Sequence, residues 1–246
     1  FVGHRSSGKS YLLYSGLSLL MQSYPERFTQ IDSSSDTRID SMKRRIDARN
    51  DIQTNVANRY RATQLIMTSQ RRPLPYHLFF YDVAGEKFNA GSSSHKTAME
   101  FYRNVQSIVF IIDPSMLDTF GTPASPRFTA WAQQNASGEK YKVESSFSVL
   151  KDILETVGRK SSKIDFNFVC AKADMGYLQA CGYSLTPDEA GVEQFISAEL
   201  GLTNLVNSAR ASFNEVHFYA VSAISSNKVG LRRLFSDLLN QRNVSL

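Results

Sequence analysis

The stretch that decides the fold is Gly3-His4-Arg5-Ser6-Ser7-Gly8-Lys9-Ser10, close to the start of the printed sequence. Phe1-Val2 before it has strand character, and residues 10–23 after it carry leucines at helical spacing. A glycine-rich turn between a strand and a helix gathers backbone N–H groups at the helix N-terminus, where they can bind phosphate oxygens. The segment therefore predicts a phosphate-binding loop, and an ordinary Gly/Ser turn before a helix is the weaker interpretation.

Each residue type in this loop has an expected task. Lys9 reaches the β- and γ-phosphates and is a catalytic candidate, and the Ser10 hydroxyl is a candidate ligand of Mg²⁺. The residues expected to contact the nucleotide here are Gly3, Arg5, Ser6, Ser7, Gly8, Lys9, Ser10 and Tyr11.

Length and composition favour one α/β domain spanning residues 1–246, with insertions at about 32–60 and 116–143. A content of 42% hydrophobic and 21% charged residues excludes a disordered tail or a disulfide mini-protein. No apolar run reaches the roughly 18 residues of a transmembrane helix. We expect the first strand to begin upstream of Phe1, Cys170 to be buried, and the cytosol to be the compartment.

Strands and helices alternate along the chain. The expected strands cover residues 27–32, 63–69, 77–81, 107–112, 164–171 and 216–221, in addition to the first. The expected helices cover residues 10–23, 33–52, 146–157, 190–199, 203–212 and 228–241. This alternation predicts a mainly parallel sheet with helices on both faces.

The chain is basic, with 28 Lys and Arg against 23 Asp and Glu and a net charge of +5. The densest basic cluster lies between residues 38 and 72, but aspartates are interleaved with its first part. That mixture is typical of an ordinary solvated helix. A nucleic-acid-binding module therefore stays only as an alternative.

A second motif, Asp82-Val83-Ala84-Gly85, follows the apolar strand at 77–81. Ligands of open α/β sheets bind at the carboxyl ends of the strands, which is where Asp82 falls. Asp82 is therefore a candidate to hold the metal, usually through water, and the N–H of Gly85 is a candidate donor to the γ-phosphate.

Two further segments can recognise a purine. Asp174, in Lys172-Ala173-Asp174, can accept both adjacent donors of guanine, N1–H and N2–H₂, whereas adenine presents an acceptor there. Lys172 would flank the base. Ser222-Ala223 follows the last strand, and the Ala223 N–H would donate to guanine O6. These residues favour a guanine nucleotide.

The order of these four motifs resembles the TRAFAC class of P-loop GTPases, whose core is the Ras-like G domain. Residues 81–86 with Phe88, and residues 110–114, look similar to bacterial double-GTPase-type domains. The resemblance implies a P-loop NTPase fold: a mostly parallel six-stranded sheet with one antiparallel strand, and helices on both faces. It also implies GTP or GDP as ligand, Mg²⁺ as cofactor, slow hydrolysis, and a conformational switch read by a protein partner.

The same resemblance suggests further site residues. Glu86 occupies the position of the water-orienting glutamine of Ras-like enzymes. Arg5, inside the loop, either points to solvent or a partner or supplies charge to the γ-phosphate as a built-in arginine finger. Thr54 is the preferred first-switch ligand of Mg²⁺, ahead of Thr37 and Thr63.

Two departures keep other functions open. Ala171 stands where the family usually has Asn or Thr, which weakens the expected grip on the base, and Glu86 adds negative charge near the γ-phosphate. The alternatives are a nucleotide-stabilised adaptor without useful hydrolysis and an ATPase of similar topology. The expected partner surfaces are the switch segments, from 85 into 98–104, and the insertions. An oligomer across the nucleotide face has no residue to support it.

Overall fold

The computed structural model describes residues 1–4, 7–30, 39–41, 44, 62–68, 74–83, 97–117, 141–173, 178–179, 181–223 and 230–242. Nearly all of the predicted helix at 33–52 lies outside these residues. The same holds for most of the predicted insertions at 32–60 and 116–143.

The strands are β1 (Val2–Gly3), β2 (Phe28–Gln30), β3 (Ala62–Met67), β4 (Tyr76–Tyr81), β5 (Ser107–Ile112), β6 (Asp165–Ala171) and β7 (Val216–Val221). The α-helices are α1 (Lys9–Ser23), α2 (Val143–Thr156), α3 (Glu189–Gln194), α4 (Thr203–Ser212) and α5 (Leu231–Asn240). Short 3₁₀ helices cover Thr97–Asn104, Pro114–Met116 and Ser161–Lys163.

In the described part of the chain, no helix combines the length and the apolar character needed to cross a bilayer.

The strands form a parallel sheet in the order β1-β5-β6-β7 and an antiparallel sheet in the order β2-β3-β4. The two sheets meet at Phe1, whose amino group donates to the Tyr81 carbonyl at 2.9 Å and whose carbonyl accepts from the Val83 N–H at 3.2 Å. That bonding pattern is parallel, so only β3 runs against its neighbours. The predicted mostly parallel sheet with one antiparallel strand is therefore confirmed. The described residues contain seven strands rather than six, because β2 pairs with the outer edge of β3.

The central strands are buried on both faces, as expected for a parallel sheet. In β5, Phe110 packs with the α2–α4 side, whereas Val109 and Ile111 pack with α1 and α5 on the other side. Strand β6 alternates in the same way, with Cys170 fully buried on the α2–α4 side. Burial raises the pKa of the Cys170 thiol, so it behaves as a small apolar residue, as predicted.

Some boundaries differ from the predicted ones for tertiary reasons. Helix α2 begins three residues early, at Val143, which is buried in the same apolar cluster as side chains of β5 and β6. Helix α5 begins only at Leu231, after Gly230 at φ 68°. A Cβ at Gly230 would lie 2.0 Å from the Ala220 carbonyl oxygen, so the close crossing of two backbones fixes where this helix starts.

Helix α1 meets α5 at Gly16. A Cβ there would lie 1.9 Å from Cε2 of Phe235, a buried ring with neighbouring rings at Phe1 and Phe80. We expect Gly16→Ala to lower the free energy of unfolding by about 1–2 kcal/mol, because overpacking outweighs the better helix propensity of alanine.

Denaturant unfolding measures this cost, and the same substitution in a Phe235→Leu background is the control. The smaller leucine leaves room for the methyl group, so the cost of Gly16→Ala should shrink in that background. An equal cost in both backgrounds would contradict the packing argument.

Candidate nucleotide-binding site

One edge of the sheet collects the residues that the sequence singles out. The strands β1, β5, β6 and β7 are neighbours and run in the same direction, so the segments that follow them lie side by side. These segments are the loop before α1, Asp113, Lys172 and Ser222. Asp82 follows β4 and joins the same edge through the bonds at Phe1.

Two glycines shape the loop between β1 and α1. A Cβ at Gly3 would lie 2.6 Å from the Ile111 carbonyl oxygen of the neighbouring strand, so no larger residue fits there. Gly8 precedes the helix at φ 88°, a left-handed conformation that glycine adopts without strain. Between them, the N–H of the fully buried Ser7 donates to the His4 carbonyl at 3.3 Å. The predicted loop conformation therefore depends on both glycines.

The start of α1 suits an anion. Its N-cap residue, Gly8, has no side chain, and its first turn carries no acidic residue. In any helix the N–H groups of the first turn, here those of Lys9, Ser10 and Tyr11, point toward its N-terminus. Together with the helix dipole they form a positive end facing the loop.

Lys9 lies inside this loop rather than on the surface, with 7% of it exposed. Its Nζ donates to the His4 carbonyl at 2.5 Å. The His4 ring in turn stacks on Tyr141, with centroids 4.1 Å apart and an angle of 8° between the rings. A nearly buried ammonium at a helix N-terminus is well placed to bind a polyphosphate.

Ser10 and Asp82 meet although 72 positions separate them in the sequence. The Ser10 hydroxyl donates to Oδ2 of Asp82 at 2.5 Å. A hydroxyl and a carboxylate side by side, next to a phosphate site, are the oxygen ligands that Mg²⁺ prefers. The donor set therefore fits the implied metal, which Ser10 would bind directly and Asp82 directly or through water.

The purine end of the predicted site is held by β6, β7 and α1. Lys172 adopts a left-handed conformation, φ 53°, directly after β6. The N–H of Ala173 donates to the Val221 carbonyl at 3.2 Å, and Ser15 Oγ of α1 donates to the Ala223 carbonyl at 3.3 Å. These bonds fix both predicted base-recognition segments to the body of the protein.

Sequence reasoning missed Asp113, which directly follows β5. Its carboxylate is fully buried: Oδ1 accepts from Ser115 N at 3.0 Å and Ser115 Oγ at 2.6 Å, and Oδ2 pairs with Lys172 Nζ at 2.6 Å. Burial, followed by the nearby Asp113 charge, raises the pKa of the Tyr141 hydroxyl. The available signal was an aspartate at the end of an apolar strand, the same position that pointed to Asp82.

The structure thus brings part of the predicted site together. The loop and the first turn of α1 contain Gly3, Ser7, Gly8, Lys9, Ser10 and Tyr11, and Asp82 contacts Ser10 there. The same sheet edge also holds Lys172, Ser222 and Ala223. The other predicted site residues lie outside the described part of the chain, and their roles stay predictions: Arg5, Ser6, Thr54, Gly85, Glu86 and Asp174.

Known proteins give an independent comparison. Among curated proteins, none matches this chain. One solved structure with a similar course of the chain is titled "Signal recognition particle receptor SRb-GTP/SRX complex from Chaetomium thermophilum". It is 15% identical in sequence with a TM-score of 0.46, over 96% of this chain and 94% of that one. The sequence profile of Double-GTPase 2 matches residues 1–239, nearly the whole chain. Because this match spans nearly the whole chain, the chain belongs to the Double-GTPase 2 family.

Proposed function

We propose that this chain binds GTP with Mg²⁺, hydrolyses it slowly to GDP and phosphate, and works as a conformational switch for a protein partner. The observation that carries the proposal is the 2.5 Å contact between the Ser10 hydroxyl and Asp82 at the mouth of the loop. A glycine-rich turn alone would have no reason to contact the aspartate that follows β4. A metal-dependent nucleotide site needs that pair of oxygens.

The residues divide the work between binding and catalysis. Lys9 and the N–H groups at the start of α1 hold the phosphates, and Ser10 and Asp82 hold the metal. When bound, Mg²⁺ neutralises negative charge on the phosphate oxygens. Glu86 orients the attacking water, and Arg5 either adds charge at the γ-phosphate or contacts a partner. Thr54 would complete the metal site when GTP is bound.

Base selection is assigned to Asp174, with Lys172 flanking the purine and the Ala223 N–H on guanine O6. Competition against labelled GDP tests this selection directly. We expect unlabelled GTP to displace the label at a concentration at least about 100-fold lower than ATP does, because adenine would leave the carboxylate facing an acceptor. Equal displacement by ATP and GTP would favour the ATPase alternative.

A substitution at Ser10 tests whether this residue binds Mg²⁺. We expect Ser10→Ala to weaken the Mg²⁺-dependent part of GTP affinity by at least about tenfold, because it removes a direct metal ligand. Titrations with and without EDTA measure that part. Ser18→Ala, at a buried serine of the same helix away from the loop, is the control and should behave like the wild type. An undiminished Mg²⁺ dependence in Ser10→Ala would contradict the assignment.

We assign the conformational switch, and the surface that a partner protein would contact, to the segments around the γ-phosphate. Loss of that phosphate would release residues 85–104 and the first-switch segment, which we assign, with the insertions, as the partner surface. A single-turnover hydrolysis assay distinguishes a GTPase from an adaptor that binds GTP without hydrolysing it. Slow turnover that falls further in Glu86→Ala supports the proposal, and GTP left intact by the wild type favours the adaptor.

A further inference from the structure

Lys172 is held by a buried acidic side chain rather than left to move in solvent. Its side chain is 40% exposed, whereas the Asp113 side chain with which it pairs at 2.6 Å is fully buried. A lysine side chain is long and flexible, and fixing it in one place costs conformational entropy. The ion pair therefore confines the Lys172 ammonium to one point above the sheet edge.

Asp113 is itself fixed. Ser115 donates to its Oδ1 twice, through the backbone N–H at 3.0 Å and through the hydroxyl at 2.6 Å. The aspartate follows Ile112, which is paired in register with Cys170, so Asp113 lies beside Ala171 on the neighbouring strand. Ala171 has only a methyl group and offers Lys172 no polar contact. The position of the ammonium is thus set from β5 rather than from β6.

A buried carboxylate also needs a cation. Leaving Asp113 without its partner would strand a charge at a fully buried position, at a large energetic cost. The ammonium of Lys172 is therefore occupied as a counter-ion and is drawn down toward the sheet. With the ammonium held there, the methylene stem of Lys172 is the part of the side chain that would face a ligand, and it is apolar.

We propose that Asp113 is a positioning residue for the nucleotide base: it fixes Lys172 so that the lysine stem covers one face of the purine. This inference rests on the proposed function, and it assigns to Asp113 an effect on base binding without a direct contact to the nucleotide. The phosphate end of the site lies at Lys9 and Ser10, which make no bond to Asp113 among the described contacts. Base binding and phosphate binding should therefore respond differently to the loss of Asp113.

The test compares two ligands, each with Mg²⁺, on protein freed of nucleotide: GDP and inorganic tripolyphosphate, which has no base. We expect Asp113→Asn, which keeps the size and one acceptor, to weaken GDP binding by about ten- to thirtyfold. Tripolyphosphate binding should stay within about threefold. The double variant Asp113→Asn/Lys172→Ala should bind GDP no more weakly than Lys172→Ala alone, because both act through the same side chain.

Glu193→Gln is the matched control, since it removes another ion pair of 2.7 Å, to Arg210, from the surface. It should bind both ligands like the wild type. If Asp113→Asn does not fold, Ser115→Ala replaces it: it removes the hydroxyl that donates to Asp113 Oδ1 at 2.6 Å, keeps both charges, and should weaken GDP binding by at least about threefold with tripolyphosphate binding unchanged. Unchanged GDP affinity, or an equal loss of both ligands, would overturn the inference. Failure of the wild type to bind either ligand would instead overturn the proposed function.

Discussion

Replacing Lys9 with alanine is expected to reduce GTP affinity by about 100- to 1,000-fold. The ammonium lies in the loop, 7% exposed and already oriented by its bond to the His4 carbonyl at 2.5 Å. Charge-assisted hydrogen bonds contribute about 1.5–3 kcal/mol each, and Lys9 can make two, to β- and γ-phosphate oxygens. At about 1.4 kcal/mol for each tenfold in affinity, the lower part of that sum, about 3–4 kcal/mol, corresponds to the stated range.

Two measurements separate binding from folding in this variant. Fluorescence titration with a labelled GTP analogue gives the affinity, and thermal unfolding without nucleotide shows whether the loop substitution has damaged the fold. Lys163→Ala removes an exposed lysine from the 3₁₀ helix at Ser161–Lys163 and should leave both unchanged. Lys9→Ala binding within threefold of the wild type, with normal unfolding, would remove the phosphate-binding loop from our account.

The largest expected effect on stability is at Phe166 in β6. This ring is fully buried and lies 4.4 Å from the Phe213 ring and 4.8 Å from the Phe168 ring, centroid to centroid. Further rings at Phe110 and Phe147 lie within 6 Å. We expect Phe166→Ala to lower the free energy of unfolding by about 3–5 kcal/mol, because a cavity forms where several aromatic contacts meet.

Chemical denaturation of the nucleotide-free protein measures this loss. Phe79→Ala is the control: the same substitution on β4, at a ring that is 51% exposed, should change the free energy of unfolding by no more than about 0.5 kcal/mol. Similar losses for the two variants would contradict the placement of the core between β6 and helices α2 and α4.

The elements that the sequence predicts well are those with strong local patterns. Helix α4 and strand β7 begin and end where the periodicity places them, and α1 extends one residue further, to Lys9. Local sequence patterns did not predict the helix boundaries that depend on residues distant in the sequence. The start of α5 depends on the contact of Gly230 with the Ala220 carbonyl, and the early start of α2 depends on burial of Val143.

In the candidate site, too, the locally defined features were predictable and the contacts between distant residues were not. The loop from Gly3 to Ser10 and the aspartate after β4 are predictable because residue type and spacing define them locally. The Asp113–Lys172 pair and the stacking of His4 on Tyr141 join residues 59 and 137 positions apart, respectively, and only the strand order brings them together. Sequence patterns of a single chain carry no register between strands that are far apart, so these contacts required the structure.

The central claim is that the loop between β1 and α1 holds a guanine nucleotide. Mass spectrometry of the nucleotide released from purified, denatured protein tests it most directly. We expect GDP or GTP in nearly equimolar amount from the wild type and almost none from Lys9→Ala. Recovery of adenine nucleotide alone, or a wild-type protein that neither carries nor takes up any nucleotide, would contradict the account.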